Sequence, residues 1–137
     1  MAPTFHDGQL VLVFKHQYMY QYDDVIVFNE DGTTMVKRII GLPGDEISLT
    51  NGLVIRNGII LEQFQSSKEQ ILTILLDKNE LFVIGDNFTD SIDSRSFGPI
   101  EQSHVIGKVI LNLRIALPGL RATLCYDEED VFNADLT

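Results

Sequence analysis

The sequence predicts a mostly β fold built of antiparallel sheets, and three observations predict it. Short apolar runs alternate with clusters of turn-forming residues along most of the 137 residues. Two Asn-Gly pairs, Asn51-Gly52 and Asn57-Gly58, suit two-residue hairpin turns. A helix-start pattern stands out in one segment, residues 66–78, and that segment reads equally well as a strand.

Taken in order, Gln9 to Lys15 sets Leu10, Leu12 and Phe14 against Val11 and Val13, so an interior strand covered on both faces is expected. Asp24-Val-Ile-Val-Phe28 is a second apolar strand, and Asn29-Glu-Asp-Gly32 turns it back. Met35 to Ile40 forms a third. Residues 46–62 fold as a meander around the two Asn-Gly turns. Ser66 and Ser67 followed by Glu69 and Gln70 open either a helix with Ile71, Leu72 and Leu75 on one face or another strand. Leu81 to Ile84 is a buried strand that runs into a polar loop. Val105 to Leu117 is the longest apolar run, broken by Lys108 and Arg114. Residues 126–137 carry five acidic side chains and read as a solvated tail.

Composition excludes several classes of function. With 45% hydrophobic residues, the chain can bury one domain-sized core. A formal net charge of −10 argues against nucleic acid and against electrostatic docking on anionic lipid. No stretch of about 20 uninterrupted apolar residues is present to span a bilayer. Cys125 is the single cysteine, so no internal disulfide can form.

Two segments carry chemistry. In Met35-Val-Lys-Arg-Ile-Ile-Gly-Leu-Pro-Gly-Asp45, strand alternation puts Lys37 on one side with Met35 and Ile39, and Arg38 on the other with Val36 and Ile40. Apolar neighbours disfavour the charged amine and lower its pKa, which suits a general base; the alternative is a lysine that snorkels to solvent at a strand edge. The second segment is the loop from Gly85 to Gly98. Asp86, Asn87, Asp90 and Asp93 can bond nearby main-chain amides there, Arg95 can pair with their carboxylates, and Ser91 and Ser94 are presented beside the sheet. Four acidic or amide side chains in eight residues also suit a hard cation, but the EF-hand spacing is absent, so no metal is expected. His6, His16 and His104 lack metal spacing and read as surface or core histidines.

Together these segments resemble the type I signal peptidases, membrane-anchored serine proteases that remove leader peptides with a serine and a lysine. Met1-Ala-Pro-Thr4 resembles the end of the family's SMxPT box, Val36 to Asp45 its lysine box, and Gly85-Asp-Asn87 through Ser91-Ile-Asp-Ser-Arg95 and Gly98 its GDN box. Asp24-Val-Ile-Val-Phe28 resembles the GDxVxF strand, with Asp23 where glycine is usual, and Phe88 replaces an arginine frequent after GDN. The resemblance covers most of residues 1–113 and is to the extracytoplasmic catalytic region of a short, Gram-positive-like form. It implies a large catalytic β domain over residues 1–124 with a small hairpin lobe within about 42–80, followed by an acidic tail over 125–137.

The resemblance also implies a mechanism and its residues. Lys37 is the base, Ser91 bonds and orients it, and Gly85, Asp86, Asn87, Asp93 and Arg95 build the loop. Met1, Phe5, Met35 and Val36 line the pocket nearest the cut and enforce alanine-like residues there. The substrate is the extended leader peptide of an exported protein, paired along the edge of the lysine strand. Neither cofactor nor metal is implied. The nucleophilic serine belongs immediately before Met1, so this chain is expected to be a fragment without nucleophile and without the upstream membrane anchor that would hold it at the extracytoplasmic face of the cell membrane. The alternative is a catalytically inactive homologue that binds peptides as a surface-assembly accessory factor.

Overall fold

The computed structural model describes residues 10–15, 19–65, 69–113 and 131–132. Its strands are β1 (Leu10–Phe14), β2 (Val25–Glu30), β3 (Thr33–Gly41), β4 (Glu46–Thr50), β5 (Leu53–Arg56), β6 (Ile59–Ile60), β7 (Leu72–Leu75), β8 (Glu80–Ile84), β9 (Ile100–Glu101), β10 (Val105–Leu113) and β11 (Val131–Phe132). One short helix, α1 (Ser94–Phe97), lies between β8 and β9. The large sheet has the order β11-β1-β10-β2-β3-β8-β9, and the small sheet the order β6-β5-β4-β7. Each ladder is antiparallel.

Three of the hairpins turn on the same backbone geometry. Asp31-Gly32, Asn51-Gly52 and Asn57-Gly58 all have positive φ at both central residues, the conformation whose twist matches that of the flanking strands. Asp23, which stands where the family strand has glycine, also has a left-handed φ of 68°. A short polar side chain is the best non-glycine substitute for such a position.

The core has three parts. On one face of the large sheet Val13, Val25, Val27 and Val36 pack together. On the other, Ile26, Phe28, Ile39, Leu81, Val83 and Ile100 form a second cluster, over which Phe97 of α1 packs. The third cluster joins the two sheets: Ile40, Phe82 and Ile84 from the large sheet meet Ile47, Leu49 and Leu76 from the region of the small one. The small lobe is therefore welded to the ends of β3 and β8 through shared apolar burial, not tethered by a linker.

Some expectations are resolved or corrected. The apolar residues after Gln70 form strand β7 rather than a helix, because pairing with β4 from Glu46↔Leu75 to Leu49↔Leu72 supplies main-chain bonds that outweigh a weak helix signal; residues 66–68 lie outside the described residues. The strand at 10–14 does lie between two others, yet Phe14 is 49% exposed, so its two faces are not both covered. Within the acidic C-terminal segment, Val131–Phe132 adds to β1, whose unpaired edge groups can accept a strand. No helix among the described residues is long and apolar enough to cross a membrane.

Candidate active site

Lys37 sits mid-strand in β3 with Ile26 directly opposite on β2. Met35 and Ile39 flank it on the same face and join the cluster that contains Ile26. The side chain is 2% exposed. Burial pushes its pKa below the ordinary value of 10.5; the Asp93 carboxylate opposes that shift, and the Arg95 guanidinium adds to it. The snorkelling alternative is thereby removed, since the amine does not reach solvent.

The amine instead donates a hydrogen bond to Ser91 Oγ at 3.1 Å. This contact depends on Gly85. A Cβ built there would overlap Ser91 Oγ, approach Ser91 Cβ to 2.7 Å and stand 3.3 Å from Lys37 Nζ. Glycine is required at 85 for space, whereas Gly98, with φ 84°, is required for its backbone conformation.

Asp93 holds the loop in this shape. It is fully buried, caps α1, and its carboxylate accepts from the Gly85 amide at 3.0 Å, the Arg95 amide at 3.1 Å, Arg95 Nε at 2.9 Å and Arg95 Nη2 at 2.8 Å. Next to it, Ser94 Oγ accepts from the Val83 amide at 2.9 Å, tying α1 to β8. Of the acidic residues in the loop, Asp93 bonds main-chain amides as expected of such side chains. Asp86 forms a two-point ion pair with Arg38 of β3 at 2.9 and 2.8 Å. Asn87 takes part through its main-chain carbonyl, which accepts from the Asp90 amide at 3.2 Å.

Among the described residues, the structure thus brings together Lys37, Ser91, Gly85, Asp93 and Arg95. Met35 and Val36 are not brought to one wall: Met35 shares the face of Lys37, and Val36 is buried on the opposite face with Val13, Val25 and Val27. Met1 and Phe5 lie outside the described residues. His104 is exposed, 3.0 Å from Glu30, while His6 and His16 fall outside the description. No group of three or more His, Cys, Asp or Glu able to hold a metal ion is found among the described residues.

Sequence reasoning missed two features. Arg38 pairs with Asp86; an arginine on an apolar strand next to a loop rich in aspartate was the available signal. Asp45, the last residue of the lysine segment, accepts from the Leu42 amide, Tyr22 Oη and Asn57 Nδ2, each at 2.8 Å. Arg56 stacks over the Tyr22 ring at 3.7 Å and donates to the Ile40 carbonyl, so one knot joins β3 to the small lobe.

The sequence model described as signal peptidase, peptidase S26, matches residues 1–113. The chain belongs to this family. Among its signal peptidase relatives, signal peptidase I V of Bacillus subtilis is 32% identical over 80% of this chain and 77% of its own length. Signal peptidase I of Bacillus caldolyticus is 30% identical over 80% of this chain and 71% of its own length. Across the Bacillus signal peptidases compared, the match spans between 61% and 77% of their length. A crystal structure of a signal peptidase I from Enterococcus faecalis V583 superposes with a TM-score of 0.56 at 28% identity, covering 69% of this chain and 99% of that one. The two-sheet antiparallel architecture is that of a type I signal peptidase.

Proposed function

We propose that this protein is a serine endopeptidase that removes N-terminal leader peptides from exported proteins, with Lys37 as its general base. The supporting observation is a buried lysine amine, its pKa depressed, 3.1 Å from the Ser91 hydroxyl. A neutral amine that donates one N–H to Ser91 keeps its lone pair free to accept a proton elsewhere, so Ser91 sets the direction in which the base acts. Asp93 and Arg95 hold the loop that presents Ser91, without touching substrate.

In this reading the nucleophile is a serine immediately before the residue matched by Met1. Its hydroxyl adds to the scissile carbonyl while Lys37 takes the proton; the resulting ammonium then protonates the leaving amine, giving an ester between leader and enzyme. Water, deprotonated by Lys37, hydrolyses that ester and restores the serine. The leader lies along the β3 edge at Thr33–Lys37, which bears no strand among the described residues because β8 begins its pairing at Arg38. The enzyme works at the extracytoplasmic face of the cell membrane, where leaders emerge.

The test is cleavage of a precursor with an Ala-X-Ala leader by protein carrying that serine. Cleavage after the second alanine, lost in Lys37→Ala, is expected. Undiminished cleavage by Lys37→Ala overturns the role of Lys37, and a codon other than serine before Met1 overturns the nucleophile.

A further inference from the structure

Ser91 faces two ways. On one side its hydroxyl touches Lys37, and on the other it lines a small open cleft of about 30 Å³ between the β4–β5 hairpin and the loop that carries Ser91, Arg95 and Ser96. Leu49, Leu53 and Val54 supply an apolar wall from the small lobe, with Gly52 at the turn. Gln70 closes one side, its Nε2 donating to the Arg95 carbonyl at 3.0 Å. The Arg95 side chain is already committed to Asp93, so the cleft offers little free charge.

The course of the substrate explains what this cleft receives. A peptide paired to Thr33–Val36 finds the same edge of β3 taken by β8 from Arg38 onward, through Arg38↔Ile84 and Ile39↔Val83. Past Lys37 it can no longer run along the sheet and must lift away from it. Ser91 is the residue that both contacts the base and lines an adjoining hollow.

We infer that the cleft between the β4–β5 hairpin and the Ser91 loop binds the residue immediately following the cut, the new N-terminus of the mature protein, and selects for an uncharged side chain there. This inference rests on the peptidase reading and adds to it a second specificity site, on the product-amine side. Leu53 determines that selection. It is half-buried beside the two-residue turn, where a longer polar side chain can be carried without disturbing the buried Val54 behind it.

The experiment uses two precursor peptides that share one Ala-X-Ala leader and differ only in the first mature residue, lysine or glutamate, offered together so that the ratio of kcat/KM is read directly. That ratio is independent of how much of a variant is folded. Leu53→Glu is expected to shift it about tenfold toward the lysine peptide and Leu53→Lys about tenfold toward the glutamate peptide. A competing pair that differs at the third residue before the cut is expected to keep its ratio in both variants. Unchanged lysine-to-glutamate ratios in both variants, with the wild type active, overturn the cleft assignment alone. The wild type is expected to cleave a third peptide, with alanine as its first mature residue, in preference to both charged ones; a wild type that cleaves none of the three overturns the peptidase reading and the cleft assignment with it, and equal cleavage of all three overturns the selection alone.

Discussion

Lys37 and Ser91, 54 residues apart in sequence, are joined by a 3.1 Å hydrogen bond in a site where the lysine is only 2% exposed. The bond is the meeting point of a strand and a loop that the rest of the site serves to align. Removing the hydroxyl leaves the amine buried but undirected. Ser91→Ala is therefore expected to lower kcat about 100-fold or more with KM little changed, in a peptide-cleavage assay, and Ser91→Thr to recover part of it. A normal kcat in Ser91→Ala would show that the amine is oriented by other groups.

Burial of Lys37 gives a signed pH dependence. The unfolded chain holds the lysine proton more tightly than the folded one, so stability rises with pH from the depressed folded pKa up to the ordinary value of 10.5. Below the folded pKa, the cost of burying the ammonium is present in full. Lys37→Met removes that cost, so urea unfolding of the variant is expected to depend less steeply on pH across this window and to show equal or higher stability at neutral pH. Activity of the wild type should rise with pH along the same titration, well before an exposed lysine would lose its proton.

The loop geometry makes Gly85 intolerant of any side chain. In Gly85→Ala the new methyl occupies the space of the Ser91 hydroxyl, and the rigid Asp93 contacts prevent the loop from backing away. A stability loss of about 1–3 kcal/mol is expected, the usual cost of overpacking, together with loss of cleavage at temperatures where the protein remains folded. Circular dichroism melts run alongside the activity assay separate the two effects.

Much of this was legible in the chain because the signals are local. The Asn-Gly pairs dictate hairpins through the φ values they tolerate, and strand alternation sets Lys37 apart from Arg38 without any knowledge of the sheet order. What could not be read is what depends on long-range register. Nothing local says that β8 pairs with β3 only from Arg38 onward, which leaves the edge at Thr33–Val36 without a strand among the described residues. The strand over Leu72–Leu75 was ambiguous for the same reason: its pairing with β4 is a tertiary fact.

Phe88 shows how a departure from the family pattern acquires a structural role. Its ring meets Phe64 edge-on, with centroids 4.8 Å apart and planes at 82°, so the loop bearing Ser91 is fastened to the small lobe by an aromatic pair. Phe88→Arg is expected to lose about 1–2 kcal/mol of stability, and Phe88→Tyr to keep most of it, in denaturant titrations. Equal stability of the arginine variant would show that the loop is held by Asp93 and Arg38 alone.

The knot at Asp45 predicts how the two lobes come apart in acid. Burial by itself would raise the Asp45 pKa, but the bonds from the Leu42 amide, Asn57 and Tyr22, helped by the charge of Arg56, hold it below its ordinary value of 3.8. A depressed carboxylate contributes stability that is complete above the unfolded value and is lost as pH falls through the folded one, so the knot should survive mild acid and fail only below about pH 4. Asp45→Asn keeps the shape, but with its one oxygen left to the Leu42 amide and Tyr22 Oη its new NH2 faces the Asn57 Nδ2 donor, at an expected cost of about 1–3 kcal/mol near neutral pH. Because Tyr22 and Arg56 meet over this carboxylate, Tyr22→Phe should reproduce a smaller part of that loss. Hydrogen exchange at the Leu42 and Leu76 amides, which flank the junction, is the measurement that decides: faster exchange in Asp45→Asn with unchanged protection at Ile26 and Val83 places the weakness at the lobe boundary, and uniform change across the chain would assign Asp45 to global stability instead.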